Sequence, residues 1–354
     1  MNWQLPHTPD PSGVWRKIQS PRNLLCNRIC KGAVSVALTS PNSFVFPSSP
    51  VLFDEGTRMD QNRRLGNLRH RSYKQAGDKT RGRMPIINKL HELYEGLGFS
   101  VSSGLSPSHL DGCIEAPFTW LLKDGESFTN GLGISMKEVY FLECLFDGWR
   151  PKTGFLIGNS FGWSALAVGL LNPKARIVAI DAGFDANSLT GLEMTNTLAR
   201  QENLNLTAVQ AVSPEGVAGV MAEQFDGPIE FCFIDGLHTN EQVVKDFKAV
   251  QPHLAKDALV LFHDVVMWNM NPGMAEIARI AGAAPELLYG TCSGMAALYF
   301  GDDPAVRRTL ATFHGNARAR EIMQAMPHQR RFRHFYRWKR SFNKRFGQYK
   351  ARSA

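Results

Sequence analysis

Between residues 135 and 300 the hydrophobic positions follow two alternating patterns. Short, nearly continuous apolar runs ("TGFLIG", "RIVAID", "LTAVQA", "IEFCFID", "ALVLFHD") are separated by longer stretches such as "WSALAVGLLN", "GLEMTNTLARQE", "EGVAGVMAEQ" and "NEQVVKDFKAVQPHL". The runs predict strands, and the longer stretches, with apolar residues every three or four positions, predict helices. Strands that are apolar throughout are buried on both faces, so the alternation predicts a parallel, doubly wound α/β sheet. A further helix, "GMAEIARIAG", precedes "ELLYG" and "GMAALYFG", which are joined by "TCS" and read as a hairpin. The hairpin puts one antiparallel strand into an otherwise parallel, seven-stranded, Rossmann-like sheet.

Upstream, "PIINKLHELYEGLGF" carries Ile87, Leu90, Leu93, Tyr94 and Leu97 at helical spacing, with Gly96 and Gly98 at its end. A loop-rich stretch runs from there to about Gly133. The next helix, "SMKEVYFLECLFDGW", opens on Ser135 and Glu138, the spacing of a capping box. Residues 84–134 therefore read as a helical and loop cap, 135–303 as the sheet domain and 304–354 as a C-terminal helical region. Residues 1–83 show no sustained period. Seven of the nineteen prolines fall in the first fifty residues, and 58–83 is polar and Arg-rich. This composition predicts a disordered or leader region ahead of a start at Met59 or Met84.

Composition removes several classes. No apolar run reaches the ~18 residues needed to span a bilayer. "GAVSVALTS" lies behind a long polar lead and makes a poor signal peptide. Cys26 and Cys30 have no second pair, so no zinc site is indicated. Cys144 and Cys232 sit in apolar patterns as small hydrophobes, and a reducing, cytoplasmic setting fits.

The net charge of +8 is carried by the C-terminus. From His328 onward there are ten Lys/Arg and no Asp/Glu, which leaves 30 basic against 32 acidic residues in 1–327. In 328–350, Phe332, Phe335, Tyr336, Trp338, Phe342, Phe346 and Tyr349 fall within an arc of roughly 160° on a helical projection. Arg330, Arg333, Arg337, Arg340 and Lys344 oppose them. This is the pattern of a basic amphipathic helix, peripheral on the inner, anionic face of a membrane. The same pattern also suits an aromatic face packed on the domain or on a second subunit in a homodimer. Nucleic acid is the weaker partner, because 1–327 has no basic excess.

In open α/β sheets ligands bind beyond the carboxyl ends of the strands. After the first strand comes "GNSFGWS", residues 158–164, whose glycines let backbone approach a ligand and whose Ser164 could cap the next helix. Asp181 closes the second strand, about 20 residues on, where an acid suits the hydroxyls of a ribose or acts as a turn or cap residue. The turn is neither G-x-G-x-x-G nor a P-loop, so an adenosine ligand without a strong phosphate cradle remains. S-adenosylmethionine is the obvious candidate. Two later strands end on "FIDGLH" (233–238) and "LVLFHD" (259–264), each with a His and an Asp.

Together these motifs resemble the class I S-adenosylmethionine-dependent methyltransferases. More narrowly they resemble the metal-dependent O-methyltransferase branch of catechol O-methyltransferase-like and cephalosporin or sugar O-methyltransferase-like enzymes. The likeness is carried by Ile157, Gly158, Gly162 and Ser164, by Asp181, by Ile234, Asp235, Gly236 and His238, and by Phe262, His263 and Asp264. It implies that Gly158, Asn159, Ser160, Gly162, Ser164, Asp181, Ser213 and Asp235 hold the cofactor, and that Asp235, His263 and Asp264 hold Mg²⁺. Three positions depart from the family pattern. Leu156 and Ser213 stand where members carry cofactor-holding acids, and Val265 stands where the catechol branch has an Asn ligand.

The residues themselves support part of this. If the strands ending on Asp235 and Asp264 are neighbours, their backbones lie about 4.8 Å apart. Two carboxylates that close repel unless a cation or a proton lies between them. Such a cation would bind an acceptor hydroxyl, lower its pKa and aim it at the methyl group. His238 is the candidate general base. His263, one residue before Asp264, points the other way from it in an extended strand, and joins the site only if the strand ends there. The segments 99–133 and 265–274, with Phe118, Trp120 and Trp268, either wall the acceptor pocket or pack as core. The expected activity is O-methylation of a small-molecule or sugar hydroxyl. Its rivals are a non-catalytic binding or scaffold protein on the same fold and an RNA-directed methyltransferase that uses the basic tail.

Overall fold

The structure is a computed structural model that describes residues 84–325, apart from 108, 111, 112, 130 and 185. The expectations for residues 1–83 and for the basic tail at 328–350 lie outside the described residues.

Seven strands form the main sheet: β4 (Thr153–Ile157), β5 (Arg176–Asp181), β6 (Leu206–Gln210), β7 (Ile229–Ile234), β8 (Leu254–Phe262), β9 (Glu286–Leu288) and β10 (Met295–Tyr299). Their order is β6-β5-β4-β7-β8-β10-β9. β4 pairs in parallel with both β5 and β7, and β10 runs antiparallel to β8 and β9. The chain fills the sheet outward from β4 in one direction and then returns to build from β7 in the other. The order reverses between β4 and β7, the place where ligands bind in open α/β sheets.

Side chains alternate across the sheet with a period of two, and both faces are covered. Leu156, Ala179, Phe233 and Leu261 face a core shared with α1 (Ile86–Gly96), α2 (Met136–Gly148), α3 (Trp163–Leu171), α4 (Ala186–Gln201) and α8 (Pro304–His314). Phe155, Ile157, Val178, Ile234 and Phe262 face the other core, built with α5 (Val217–Gln224), α6 (Asn240–Val250) and α7 (Asn271–Ala281). Leu156 is fully buried in the first core, so its apolar side chain is what that position requires. A last helix, α9 (Ala317–Ala325), has no buried residue.

Three expectations change. The stretch 99–133 is not all loop but holds a small antiparallel sheet of β1 (Ser100–Ser102), β2 (Trp120–Lys123) and β3 (Glu126–Ser127). The helix expected over 240–254 stops at Val250. Pro252 sits in a 3₁₀ turn, Gln251–His253, and β8 already begins at Leu254. Ser164 does not cap α3. The N-cap is Gly162, with no side-chain cap bond, and Ser164 is buried within the first turn.

The capping box at α2 is formed. The Ser135 hydroxyl accepts from the Glu138 N–H at 3.2 Å, and the Glu138 carboxylate accepts from the Ser135 N–H at 2.8 Å.

Candidate functional site: a histidine and carboxylate cluster beside a glycine turn

The turn after β4 is shaped by positive φ angles at Gly158 (97°), Ser160 (46°) and Gly162 (82°). A Cβ at Gly158 would lie 2.1 Å from the Asp235 carbonyl oxygen, and one at Gly162 would lie 2.0 Å from Thr195 Oγ1. The glycines therefore serve the close approach of β7 and α4. Asp181 fixes the turn from β5. Its carboxylate accepts from the backbone N–H groups of Asn159 (3.1 Å), Ser160 (2.8 Å) and Gly183 (3.0 Å). Asn159 is buried, and its amide donates to the Ser160 carbonyl and to Thr195 Oγ1. Gly158, Ser160 and Asp181 thus meet at the carboxyl end of β4, whereas the side chains of Asn159 and Ser164 turn inward.

Ser213, beyond β6, acquires an acid from elsewhere. Its hydroxyl donates to Asp246 of α6 at 2.5 Å, and the Gln242 amide donates to the same carboxylate at 2.8 Å. Burial raises the pKa of Asp246. This carboxylate lies 33 residues from Ser213 in the chain, and only the fold brings the two together.

The second half of the site forms at the ends of β7 and β8. Phe233 pairs with Leu261 and Ile234 with Phe262, and continuing that register sets Asp235 opposite His263. Backbone bonds hold both ends in place: Asp235 N–H donates to Ile157 (2.8 Å) and His263 N–H donates to Ile234 (3.0 Å). The cross-strand partner of Asp235 is therefore His263, with Nδ1 3.0 Å from Asp235 Oδ1. Asp264 arrives differently. β8 ends at Phe262 and Asp264 adopts φ 58°, a left-handed conformation that breaks the alternation of an extended chain. Its Oδ1 then lies 3.4 Å from His263 Nδ1 and its Oδ2 3.3 Å from His238 Nε2. His238 Nε2 is also 3.0 Å from Asp235 Oδ1.

Glu138 completes the cluster and was legible in the sequence only as a cap. Its side chain is fully buried, and Oε2 lies 3.2 Å from His263 Nε2. Oε1 accepts from the Ser293 N–H (2.9 Å) and hydroxyl (2.6 Å). Burial alone would raise the pKa of Glu138, but the charge of His263 overrides it and holds the carboxyl at about 2. Burial likewise opposes ionisation of Asp235, and His263 and His238 together hold that carboxyl well below the usual range. His263 is raised well above an ordinary histidine, against its own burial, by Asp235, Asp264 and Glu138.

The expected walls divide. In 265–274, Val265, Met270 and Met274 are buried core, so Val265 has no part in the cluster. Trp268 belongs to the site: its indole N–H donates to Asp264 Oδ2 at 3.1 Å, and its ring stacks on His238 at 6.0 Å and 9°. From the N-terminal segment, Phe118 meets His263 edge-on at 6.3 Å. Trp120 instead donates to the Glu115 carbonyl.

Residues 152–265 match the family model described as a methyltransferase domain. The matched segment runs from β4 to the residue after Asp264 and so takes in both the glycine turn and the cluster. No curated protein matches the chain. Among solved structures the chain is similar to CalS11, a TDP-rhamnose 3'-O-methyltransferase of calicheamicin biosynthesis. The identity is 18%, covering 63% of this chain and 97% of that one, with a TM-score of 0.41. It is also similar to the O-methyltransferase TomG from Streptomyces achromogenes (11%, 63% and 93%, TM-score 0.40). A third likeness is to an O-methyltransferase from Bacillus cereus (12%, 63% and 94%, TM-score 0.36). These are likenesses only.

Proposed function

We propose that the chain is an S-adenosylmethionine-dependent O-methyltransferase acting on a hydroxyl of a small molecule or a sugar. The observation that carries this reading is the contiguity of two half-sites. The glycine turn of β4, where the order of the sheet reverses, packs directly against Asp235, and Asp235 belongs to the cluster with His238, His263 and Asp264. A cofactor held at the turn would present its methyl group beside groups able to hold a hydroxyl and take its proton.

Methyl transfer is an in-line displacement. S-adenosylmethionine, when bound, would supply the methyl group, the acceptor oxygen taking the carbon as its bond to sulfur is lost, and the cluster would receive the hydroxyl proton. Much of the rate in such a reaction comes from positioning. His238 is the most exposed member of the cluster, at 20%, and is where an acceptor first meets it. Trp268 fixes its ring by stacking. Asp181 ties down the turn on the cofactor side, and Asp246 supplies a carboxylate beside Ser213, where the sequence itself lacks one. Mg²⁺, the expected ion, takes oxygen donors almost alone, and two imidazoles make this cluster a poor match for it.

Calorimetric titration with S-adenosylmethionine, followed by transfer of labelled methyl to a panel of phenols and sugar nucleotides, tests the reading. His238→Ala is expected to lower turnover about 10²- to 10⁴-fold with cofactor affinity unchanged. A chain that binds no S-adenosylmethionine is not this enzyme.

A further inference from the structure

We infer that the cluster at the ends of β7 and β8 is a site for a first-row transition-metal ion of the Mn²⁺ to Zn²⁺ group, bound by Asp235 Oδ1, His238 Nε2 and His263 Nδ1, with Glu138 as the positioning residue behind His263. The inference rests on the function proposed above, because it names the ion for that same site.

The three donor atoms lie within 4.8 Å of one another. Asp235 Oδ1 is 3.0 Å from each imidazole nitrogen. For metal–ligand bonds of about 2.1 Å, adjacent ligands of an octahedral ion are about 3.0 Å apart. Such a spacing also suits a hydrogen bond, and between His238 and Asp235 it is one. At His263 the acids outnumber what one ring can serve. That side chain is only 5% exposed, Asp235 and Asp264 stand 3.0 and 3.4 Å from Nδ1, and Glu138 stands 3.2 Å from Nε2. One N–H cannot satisfy two carboxylates on the same side of a buried imidazole, whereas a cation there neutralises both. Its Nδ1 is well explained as a ligand awaiting an ion on the Asp235 side.

The remaining contacts hold the donors still. Glu138 lies 3.2 Å behind His263 Nε2 and is itself fixed by the Ser135 N–H and by the N–H and hydroxyl of Ser293. A fixed carboxylate on that side favours the tautomer protonated at Nε2 and leaves the Nδ1 lone pair for the ion. A carboxylate behind a ligating histidine is the usual arrangement at imidazole-rich sites. Trp268 stacks on His238 and donates to Asp264, which stands 3.3 and 3.4 Å from the two ligating nitrogens. The choice of ion follows from the donors. Mg²⁺ and Ca²⁺ are bound by oxygen, whereas imidazole suits the later divalent ions. With an ion bound, His238 would serve as a ligand through Nε2, in place of the free base expected from the sequence.

Chelator-treated full chain is titrated by calorimetry with Mn²⁺, Co²⁺ and Mg²⁺, and the Co²⁺ form is read by its visible absorption. We expect one Mn²⁺ or Co²⁺ per chain, bound at least 100-fold more tightly than Mg²⁺, and a Co²⁺ spectrum shifted from that of the aqueous ion by nitrogen ligation. Glu138→Gln should weaken Mn²⁺ about 10- to 100-fold, and His238→Ala should weaken it further. The wild-type ratio and spectrum decide the matter even if a variant fails to fold. Mg²⁺ binding as tightly as Mn²⁺, an unshifted Co²⁺ spectrum, or no ion bound while S-adenosylmethionine still binds, overturns the inference. Absence of S-adenosylmethionine binding in the same preparation counts instead against the methyltransferase reading.

Discussion

Glu138 illustrates how much one side chain is asked to do in this fold. It closes the N-terminus of α2, anchors Ser293 and faces His263, all without access to water. Removing one partner of a buried charge pair typically costs about 3–5 kcal/mol, because the other is left uncompensated. Glu138→Ala should therefore destabilise the ion-free chain by about 3 kcal/mol, read from the shift of its urea unfolding midpoint. The pair also sets a pH dependence. The folded pKa of Glu138 is depressed from 4.5 to about 2, so its contribution is complete above about 4.5 and is lost as pH falls toward 2. His263 is raised above 6.5, so its contribution is complete below about 6.5 and is lost as pH rises through the folded value. The stability gap between wild type and Glu138→Gln, measured in chelator, should be widest between about pH 4.5 and 6.5 and should narrow on both sides. A gap that does not change with pH would remove the charge pairing as its cause.

At the scale of elements, the site depends on strand ends locked to their neighbours. Gly158 has φ 97° and no room for a Cβ, because the Asp235 carbonyl lies where that atom would go. Gly158→Ala should cost at least ~2 kcal/mol from the unfavourable φ and the overlap, and it should weaken S-adenosylmethionine binding and metal binding together, since β4 and β7 must part. An alanine variant that keeps both affinities would show that the two half-sites are independent. Much of this level was legible in the sequence. The strands of the main sheet announced themselves because both faces are buried, and Asp235 and Asp264 were visible as acids at the ends of apolar runs. β1 and β3 were not legible, because two or three residues show no period. The partnership of Asp235 with His263 was hidden by the left-handed turn at Asp264, which no hydrophobic pattern signals. Glu138 and Asp246 carried no mark of burial, since an acid on a helix reads as solvated until its partners, 125 and 33 residues away in the chain, are brought to it.

For the whole molecule, the uneven distribution of charge is the property that asks for a function. Residues 1–327 are close to neutral by formal count, while ten basic residues follow, five of which (Arg330, Arg333, Arg337, Arg340 and Lys344) stand opposite seven aromatics on a helical projection. Among the described residues no helix is long and apolar enough to cross a bilayer. The tail has the chemistry for peripheral membrane attachment. Aromatic rings gain by entering the interface, and each Lys or Arg near an anionic surface adds about 1 kcal/mol that salt screens away. The full chain is therefore predicted to sediment with vesicles containing phosphatidylserine at about 0.1 M salt, where the Debye length is ~10 Å, and to be released as salt is raised severalfold. A chain ending at residue 327 should stay in the supernatant under both conditions and retain its affinity for S-adenosylmethionine. If the full chain does not sediment, and truncation instead halves its mass in solution, the aromatic face joins two copies. Either result locates what the tail does relative to a site that lies in the sheet domain.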